Sequence, residues 1–325
     1  MTAQESAPNN IPYFMLNNGQ NMPAVGMGCW LGFDGGGDAA EEMCKNALKC
    51  GYRHFDTAWG YNNEESVGKA IRESGVPRSE IFLTTKLWNA NHHRVREAFE
   101  MSLAALDCEY IDLYLMHWPQ AEVDGACRVP DVHEAPTFVD TWKEMEKLLE
   151  TGKVKSIGVS NFSIKNLEHL LPHCKVIPVT NQVQLHPCLP QTVLKAYCEA
   201  KGILLTAYSP FGQSNPLFFK DPDFERVAKA HGATPAQVAI SWAVQRGTAV
   251  VPKSANPERM KQNLQLVRLT SEDMSVIDAI HAKPGMHRNL LSIPGDRPGV
   301  IFGWTYEQLG WNWALDDTVI ETKSQ

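Results

Sequence analysis

Short runs of apolar, β-branched residues alternate along this chain with longer stretches whose apolar positions recur every three or four residues. Residues 1–10 are polar and are expected to be disordered. Tyr13–Leu16 and a second extended piece flank Asn17-Asn18-Gly19-Gln20, the pattern of a β-hairpin with an Asn-Gly turn. VGMGCW at 25–30 reads as a buried strand, and 38–50 as an amphipathic helix with Ala40, Met43, Ala47 and Cys50 at helical spacing. The alternation then repeats. Strands are expected at 52–56, 81–86, 111–116, 154–160, 179–184, 203–208 and 249–252. Helices are expected near 63–74, 92–106, 137–151, 163–171, 190–201, 222–230 with 235–246, and 256–263.

Apolar strands alternating with amphipathic helices build right-handed βαβ units and a parallel sheet. Counting 25–30, eight such units predict an α/β fold of the (β/α)8 TIM barrel type. An open doubly wound sheet is the weaker choice, because GMGCWLG after the first strand lacks the GxGxxG phosphate loop. No linker divides the chain, so 11–325 is expected to form a single domain with a long C-terminal loop at 284–325. Irregular stretches at 118–136, 209–221 and 284–325 are expected near the barrel mouth, where loops after strands carry chemistry.

Composition narrows the function. Hydrophobic content of 43% and charged content of 21% are those of a soluble globular protein. A net charge of -7 and a pI near 5.9 argue against nucleic-acid and anionic-membrane partners. No apolar run approaches the roughly 18 residues of a membrane span. MTAQESAPNN has no apolar core, so no signal peptide is expected. Eight cysteines (Cys29, Cys44, Cys50, Cys108, Cys127, Cys174, Cys188, Cys198) form no CxxC and no zinc spacing. Reduced core thiols in a cytoplasmic protein are the expected reading.

The candidate chemistry stands at the strand ends. Parallel strands should be apolar, yet these end in Asp56, Lys86, His117, Ser160-Asn161, Asn181-Gln182, Tyr208-Ser209 and Lys253-Ser254. Each alone has a structural explanation: Asp56 as a helix cap, Lys86 as a solvated strand end, His117 as a core histidine. Seven facing one mouth form a site. Tyr61, in the loop after Asp56, would then be a proton donor. A free phenol has a pKa near 10; an adjacent Lys86 ammonium would lower it, and Asp56 would keep Lys86 charged. His117 could orient a carbonyl oxygen. That set suits carbonyl reduction.

The hydride needs a source. Ser160, Asn161 and Gln182 could hold a carboxamide while Tyr208 stacks on a nicotinamide ring. SPFGQSN at 209–215 could wrap a pyrophosphate with backbone amides and small polar side chains. Lys253, Ser254, Asn256 and Arg259 in PKSANPER suit the 2′-phosphate of NADP, with an ordinary solvated helix start as the competing reading.

Three motifs, GYRHFDTAWGYNNEESVG (51–68), MEKLLETGKVKSIGVSNF (145–162) and VPKSANPERMKQNLQL (251–266), closely resemble the aldo-keto reductase superfamily. The similarity runs from about Tyr13 to Ile280. It implies a barrel with the hairpin closing its bottom and NADPH-dependent reduction of aldehydes or ketones. It assigns Tyr61 as general acid, Lys86 and Asp56 as its partners and His117 as the orienting residue. Ser160, Asn161 and Gln182 become nicotinamide ligands, Tyr208 the stacking ring, and Ser209, Phe211, Gln213 and Ser214 the pyrophosphate loop. Lys253, Ser254, Asn256 and Arg259 become the 2′-phosphate ligands. Gln262, where many relatives carry glutamate, and Asn263 fall at the adenine.

The resemblance also places aromatic pocket walls at Trp30, Trp59, Trp88 and Trp118. HWP at 117–119 is similar to aldose, aldehyde and fungal-type glycerol, xylose or galacturonate reductases. In the tail, Trp304 is expected to line or lid the pocket, or else to pack the tail against the barrel. Arg288 or Arg297 is a candidate for a substrate carboxylate such as a uronate, against an ordinary surface role. A monomer or weak dimer acting on small polar carbonyl compounds, with aldoses, glyceraldehyde and hexuronates as candidates, is expected; no metal is. Two alternatives stay open: an NADPH-binding sensor with little turnover, and, ranked well behind it, a Schiff-base aldolase built on Lys86. A metal-dependent hydrolase is weaker again, since His117 is the one histidine among the strand ends.

Overall fold

Asn18 and Gly19 turn the chain between β1 (Tyr13–Met15) and β2 (Asn21–Pro23), which pair antiparallel. A computed structural model describes residues 11–123, 129–213, 216–290 and 299–311. The apolar runs become β3 (Met27–Gly28), β4 (His54–Asp56), β5 (Phe82–Leu87), β6 (Ile111–Met116), β7 (Val154–Ser160), β8 (Thr180–Gln184), β9 (Leu204–Tyr208) and β10 (Thr248–Val251). Neighbours in sequence are neighbours in this eight-stranded parallel sheet.

The ring closes on itself. Gly26 N donates to Val250 O at 2.8 Å, Val250 N to Ala24 O at 2.8 Å and Gly28 N to Pro252 O at 3.0 Å. A Cβ on Gly28 would stand 2.6 Å from Val251 O, so the seam requires glycine there. The result is the (β/α)8 barrel expected from the alternation.

The helices follow the same logic: α1 (Gly37–Cys50), α2 (Glu64–Glu73), α3 (Val95–Leu106), α4 (Phe138–Leu148), α5 (Ile164–Leu170), α6 (Thr192–Ala200), α7 (Pro222–Ala230), α8 (Pro235–Gln245) and α9 (Pro257–Asn263). Capping boxes start α4 at Thr137 with Asp140 and α8 at Thr234 with Gln237. A tenth helix, α10 (Ser271–Asp278), lies beyond the hydrophobic pattern. It buries only Ile277, so its apolar periodicity is faint; the capping box of Thr270 and Asp273 is its sequence signal.

The tail departs from the irregular loop expected at 284–325. β11 (Val300–Ile301) and β12 (Trp304–Thr305) form a small antiparallel hairpin, followed by α11 (Tyr306–Leu309). Phe302 and Gly303 between them have φ of 44° and 84°, a two-residue loop of the kind that suits twisted hairpins. The seven described cysteines are free thiols, while Cys127, residues 1–10 and Arg297 lie outside the described residues. Among the described residues no helix is long and apolar enough to cross a membrane.

At the base of the barrel His54 joins the hairpin to the sheet. Its Nδ1 lies 3.3 Å from Pro23 O and its Nε2 3.2 Å from Thr84 Oγ1. Burial pushes this imidazole down from 6.5 to about 4, against a smaller upward pull from Asp56. The unfolded chain therefore takes the proton first. Stability is fully present above pH 6.5 and is lost as pH falls from 6.5 to about 4. That gap corresponds to a loss of roughly 3 kcal/mol. Urea unfolding between pH 7 and pH 4.5 is expected to show this decline, with a shallower slope in His54→Gln; an unchanged slope in the variant would contradict it.

Candidate active site

β4 and β5 bring an acid and an amine together at the mouth. Asp56 ends β4, and Lys86 sits one residue before the end of β5 with none of its surface exposed. Lys86 Nζ donates to Asp56 Oδ1 at 2.6 Å and to Thr57 O at 2.8 Å. It also lies 3.4 Å from the Tyr61 hydroxyl. Tyr61 closes the 3-10 turn Trp59–Tyr61 that follows β4. A Cβ on Gly60 in that turn would meet the Trp88 ring at 2.5 Å, so a small residue lets the turn seat Tyr61 against the wall. The His117 ring stands 5.6 Å from Tyr61 and 5.4 Å from Trp88, edge-on to both. Its Nδ1 has no hydrogen-bond partner among the described residues.

Electrostatics sharpen the expected roles and correct one. Burial pushes the Lys86 ammonium down, but Asp56 and Tyr61 together outweigh it, so Lys86 is held above its usual value and stays charged. Burial and the Lys86 charge both push His117 well below the usual imidazole range, leaving it neutral. Lys86 does pull the Tyr61 phenol down, but the net shift is not downward. Burial raises the phenol by more than Lys86 lowers it, and the net shift is upward. The phenol therefore keeps its proton at neutral pH. An alkoxide, far more basic than phenolate, could still take it.

The next strand ends are tied to one another. Ser160 Oγ donates to Gln182 O at 2.8 Å. Asn161, left-handed at φ 65°, donates through Nδ2 to His117 O at 2.9 Å and accepts from the Tyr208 hydroxyl at 2.8 Å. Gln182 reaches further than expected, since its Nε2 donates to Asp56 Oδ2 at 2.6 Å. Both oxygens of Asp56 are thus engaged, one by Lys86 and one by Gln182.

These groups open on a cavity of about 850 Å³. Asp56, Tyr61, His117, Ser160, Asn161, Gln182 and Tyr208 line it, as do Ser209, Phe211, Gln213, Lys253, Ser254, Arg259 and Asn263. Asn256 and Gln262 do not. Asn256 is the cap of α9, its Oδ1 accepting Arg259 N at 3.0 Å, and Gln262 is half-buried away from the lining. Ser214 lies outside the described residues. Lys253 and Arg259 are exposed and have no ion-pair partner among the described residues, which fits them to an anionic group.

Much of the remaining lining is aromatic. Trp30, Trp88 and Trp118 line the cavity, together with Phe33. Trp59 does not, because its turn presents Gly60 and Tyr61 instead. Trp304 does not either. It is 4% exposed, and its Nε1 donates to Pro130 O at 2.7 Å, so the packing role holds. Among the described residues of the tail, Phe302 at the hairpin tip reaches the cavity, with its ring 5.3 Å from Trp88 and 5.4 Å from Trp118. Its signal in the sequence is the Phe-Gly pair between Ile301 and Trp304, a two-residue turn that the hydrophobic pattern alone does not mark. Gln120 Nε2 holds the hairpin by donating to Ile301 O at 2.9 Å. Arg288 is not part of the lining; its guanidinium donates to Gly285 O.

The sequence pattern of the Aldo/keto reductase family matches residues 25–282, and the chain belongs to that family of oxidoreductases. It is 44% identical over 290 residues to glycerol 2-dehydrogenase (NADP(+)) of Saccharomyces cerevisiae, covering 84% of this chain and 92% of that protein. It is 43% identical over 296 residues to aldehyde reductase YPR1 of the same yeast, covering 86% and 94%. The crystal structure of an aldo/keto reductase from Brucella melitensis superposes with a TM-score of 0.73 at 39% identity, covering 82% of this chain and 98% of that one.

The different places of the two tail aromatics predict different effects of their loss. Phe302→Ala is expected to change the ranking of aldehydes by kcat/KM about ten-fold while leaving the melting temperature within a few degrees. Trp304→Ala is expected to cost about 3 kcal/mol in stability. A reversed pattern would return Trp304 to the pocket.

Proposed function

We propose that this protein reduces small neutral aldehydes to alcohols with NADPH. The observation that carries the reading is the buried chain Asp56–Lys86–Tyr61, which opens beside neutral His117 onto a cavity lined by the cations Lys253 and Arg259 and by an aromatic cluster. When bound, the nicotinamide would supply the hydride. Ser160 and Asn161 would meet its carboxamide, and Gln182, whose Nε2 is spent on Asp56, would offer its carbonyl oxygen. Tyr208 would give the ring its stacking face. Ser209, Phe211 and Gln213 would follow the pyrophosphate, and Lys253, Ser254 and Arg259 would hold the 2′-phosphate.

His117 orients the carbonyl oxygen, and Tyr61 delivers its proton to that oxygen as negative charge develops there. Lys86 stabilises the phenolate left behind, and Asp56 keeps Lys86 charged and in place. The aromatic cluster supports apolar or ring-bearing aldehydes over charged ones. Among the described residues, Trp30, Phe33, Trp88, Trp118 and Phe302 offer no cation there, and Arg288 lies elsewhere.

Tyr61→Phe is expected to lower kcat for benzaldehyde at least about 100-fold while NADPH still quenches tryptophan fluorescence with unchanged affinity. Retained turnover would remove Tyr61 as the acid. Arg259→Ala is expected to weaken NADPH about 10- to 100-fold and to leave NADH unchanged. Equal losses for both would contradict the 2′-phosphate role. Benzaldehyde is expected to exceed glucuronate in kcat/KM; the reverse order would point to a carboxylate site.

A further inference from the structure

One buried acid beside the site takes no part in the reaction just described. Glu64, the first residue of α2, is 5% exposed, and its Oε1 accepts the Thr85 hydroxyl at 2.6 Å. Thr85 and Lys86 are consecutive on β5, so their side chains leave opposite faces of the sheet. Lys86 meets Asp56 at the barrel mouth, and Thr85 meets Glu64 in the helix layer. Burial raises the Glu64 carboxyl, while Thr85, Ser102 and, across the strand, Lys86 pull it back.

Glu64 also shares a short segment with Tyr61. The Trp59–Tyr61 turn passes through Asn62, at φ 52°, and Asn63 directly into α2. Two side chains pin that segment to different strands. Asn63 ties it to the ends of β3 and β4, donating to Cys29 O at 2.7 Å and accepting the Thr57 hydroxyl at 2.7 Å. Glu64 ties it to β5, the strand that carries Lys86. At 3.4 Å, the Lys86–Tyr61 contact is the longest of those Lys86 Nζ makes. It crosses from a strand to a loop, so its length depends on how closely the turn is held to β5.

We propose that Glu64 is a positioning residue: by gripping Thr85 it sets the spacing between the start of α2 and β5, and so keeps the Tyr61 hydroxyl at the Lys86 ammonium. The proposal rests on Tyr61 being the proton donor. A misplacement of about 1 Å at such a contact costs on the order of 100-fold in rate.

The test uses the full chain and two readouts. Ionisation of Tyr61 is followed in cofactor-free protein by tyrosinate absorbance, as the difference from Tyr61→Phe. Turnover of benzaldehyde is measured alongside NADPH affinity. Glu64→Ala and Thr85→Val are expected to lower kcat about 10- to 100-fold with NADPH affinity within about two-fold. Both should also move Tyr61 ionisation to higher pH, because the phenolate loses its neighbouring ammonium. Glu64→Gln and Thr85→Ser keep a hydroxyl-to-oxygen bond and are expected to stay within about three-fold of wild type.

A lowered melting temperature with wild-type kcat and Tyr61 ionisation in Glu64→Ala would make Glu64 merely structural. Thr85→Ser behaving like Thr85→Val would equally overturn the proposal. If Glu64→Ala fails to fold, the Thr85 pair decides. Undiminished turnover in Tyr61→Phe would overturn the proton-donor role alone, and the titration would still decide whether Glu64 sets the Tyr61–Lys86 spacing.

Discussion

A fully buried ammonium is tolerable only where an opposite charge and further hydrogen-bond acceptors surround it; stripped of its partner, such a charge costs about 3–5 kcal/mol. Lys86 meets that condition through Asp56, Thr57 O and Tyr61. Much of the mouth is arranged by this requirement. Asp56 must stand at the end of β4, and its second oxygen is held by Gln182 of β8, across the barrel. Burial keeps His117 neutral with help from the same charge, which also draws Tyr61 down against the larger upward push of burial.

Around that pair the cavity divides by chemistry. Strands β7 to β10 end in amides, hydroxyls and the exposed cation Lys253, and Arg259 of α9 adds a second exposed cation. The loops after β3, β5 and β6, with the tail hairpin, contribute Trp30, Phe33, Trp88, Trp118 and Phe302. The tail does not simply drape over the barrel. Gln120, Trp304 and Asn166 anchor it through Ile301 O, Pro130 O and Leu309 O, so Phe302 arrives on a braced hairpin.

Much of this was legible in the sequence because parallel strands penalise polar residues. Asp56, Lys86, His117, Asn161 and Gln182 stand out against their apolar strands for that reason, and β-branched runs at regular intervals foretell the barrel. What escaped depends on three dimensions. The upward shift of Tyr61 comes from burial by distant segments, which no spacing encodes. Asn256 reads as a ligand by its place in the motif, yet its side chain is occupied in capping α9. Trp304 packs and Phe302 meets the cavity because a two-residue turn, not residue size, decides which ring faces it. The helix α10 hides for a simpler reason, since a single buried residue leaves no amphipathic stripe.

The buried ammonium is tested most directly by single-turnover oxidation of NADPH with benzaldehyde, comparing wild type with Lys86→Met in protein shown to be folded and to bind NADPH. Loss of the charge should slow the chemical step at least about 100-fold, because the phenolate formed at Tyr61 would have no cation to stabilise it. A rate within about two-fold of wild type would contradict the role assigned to Lys86 and, with it, the proton-donor chain.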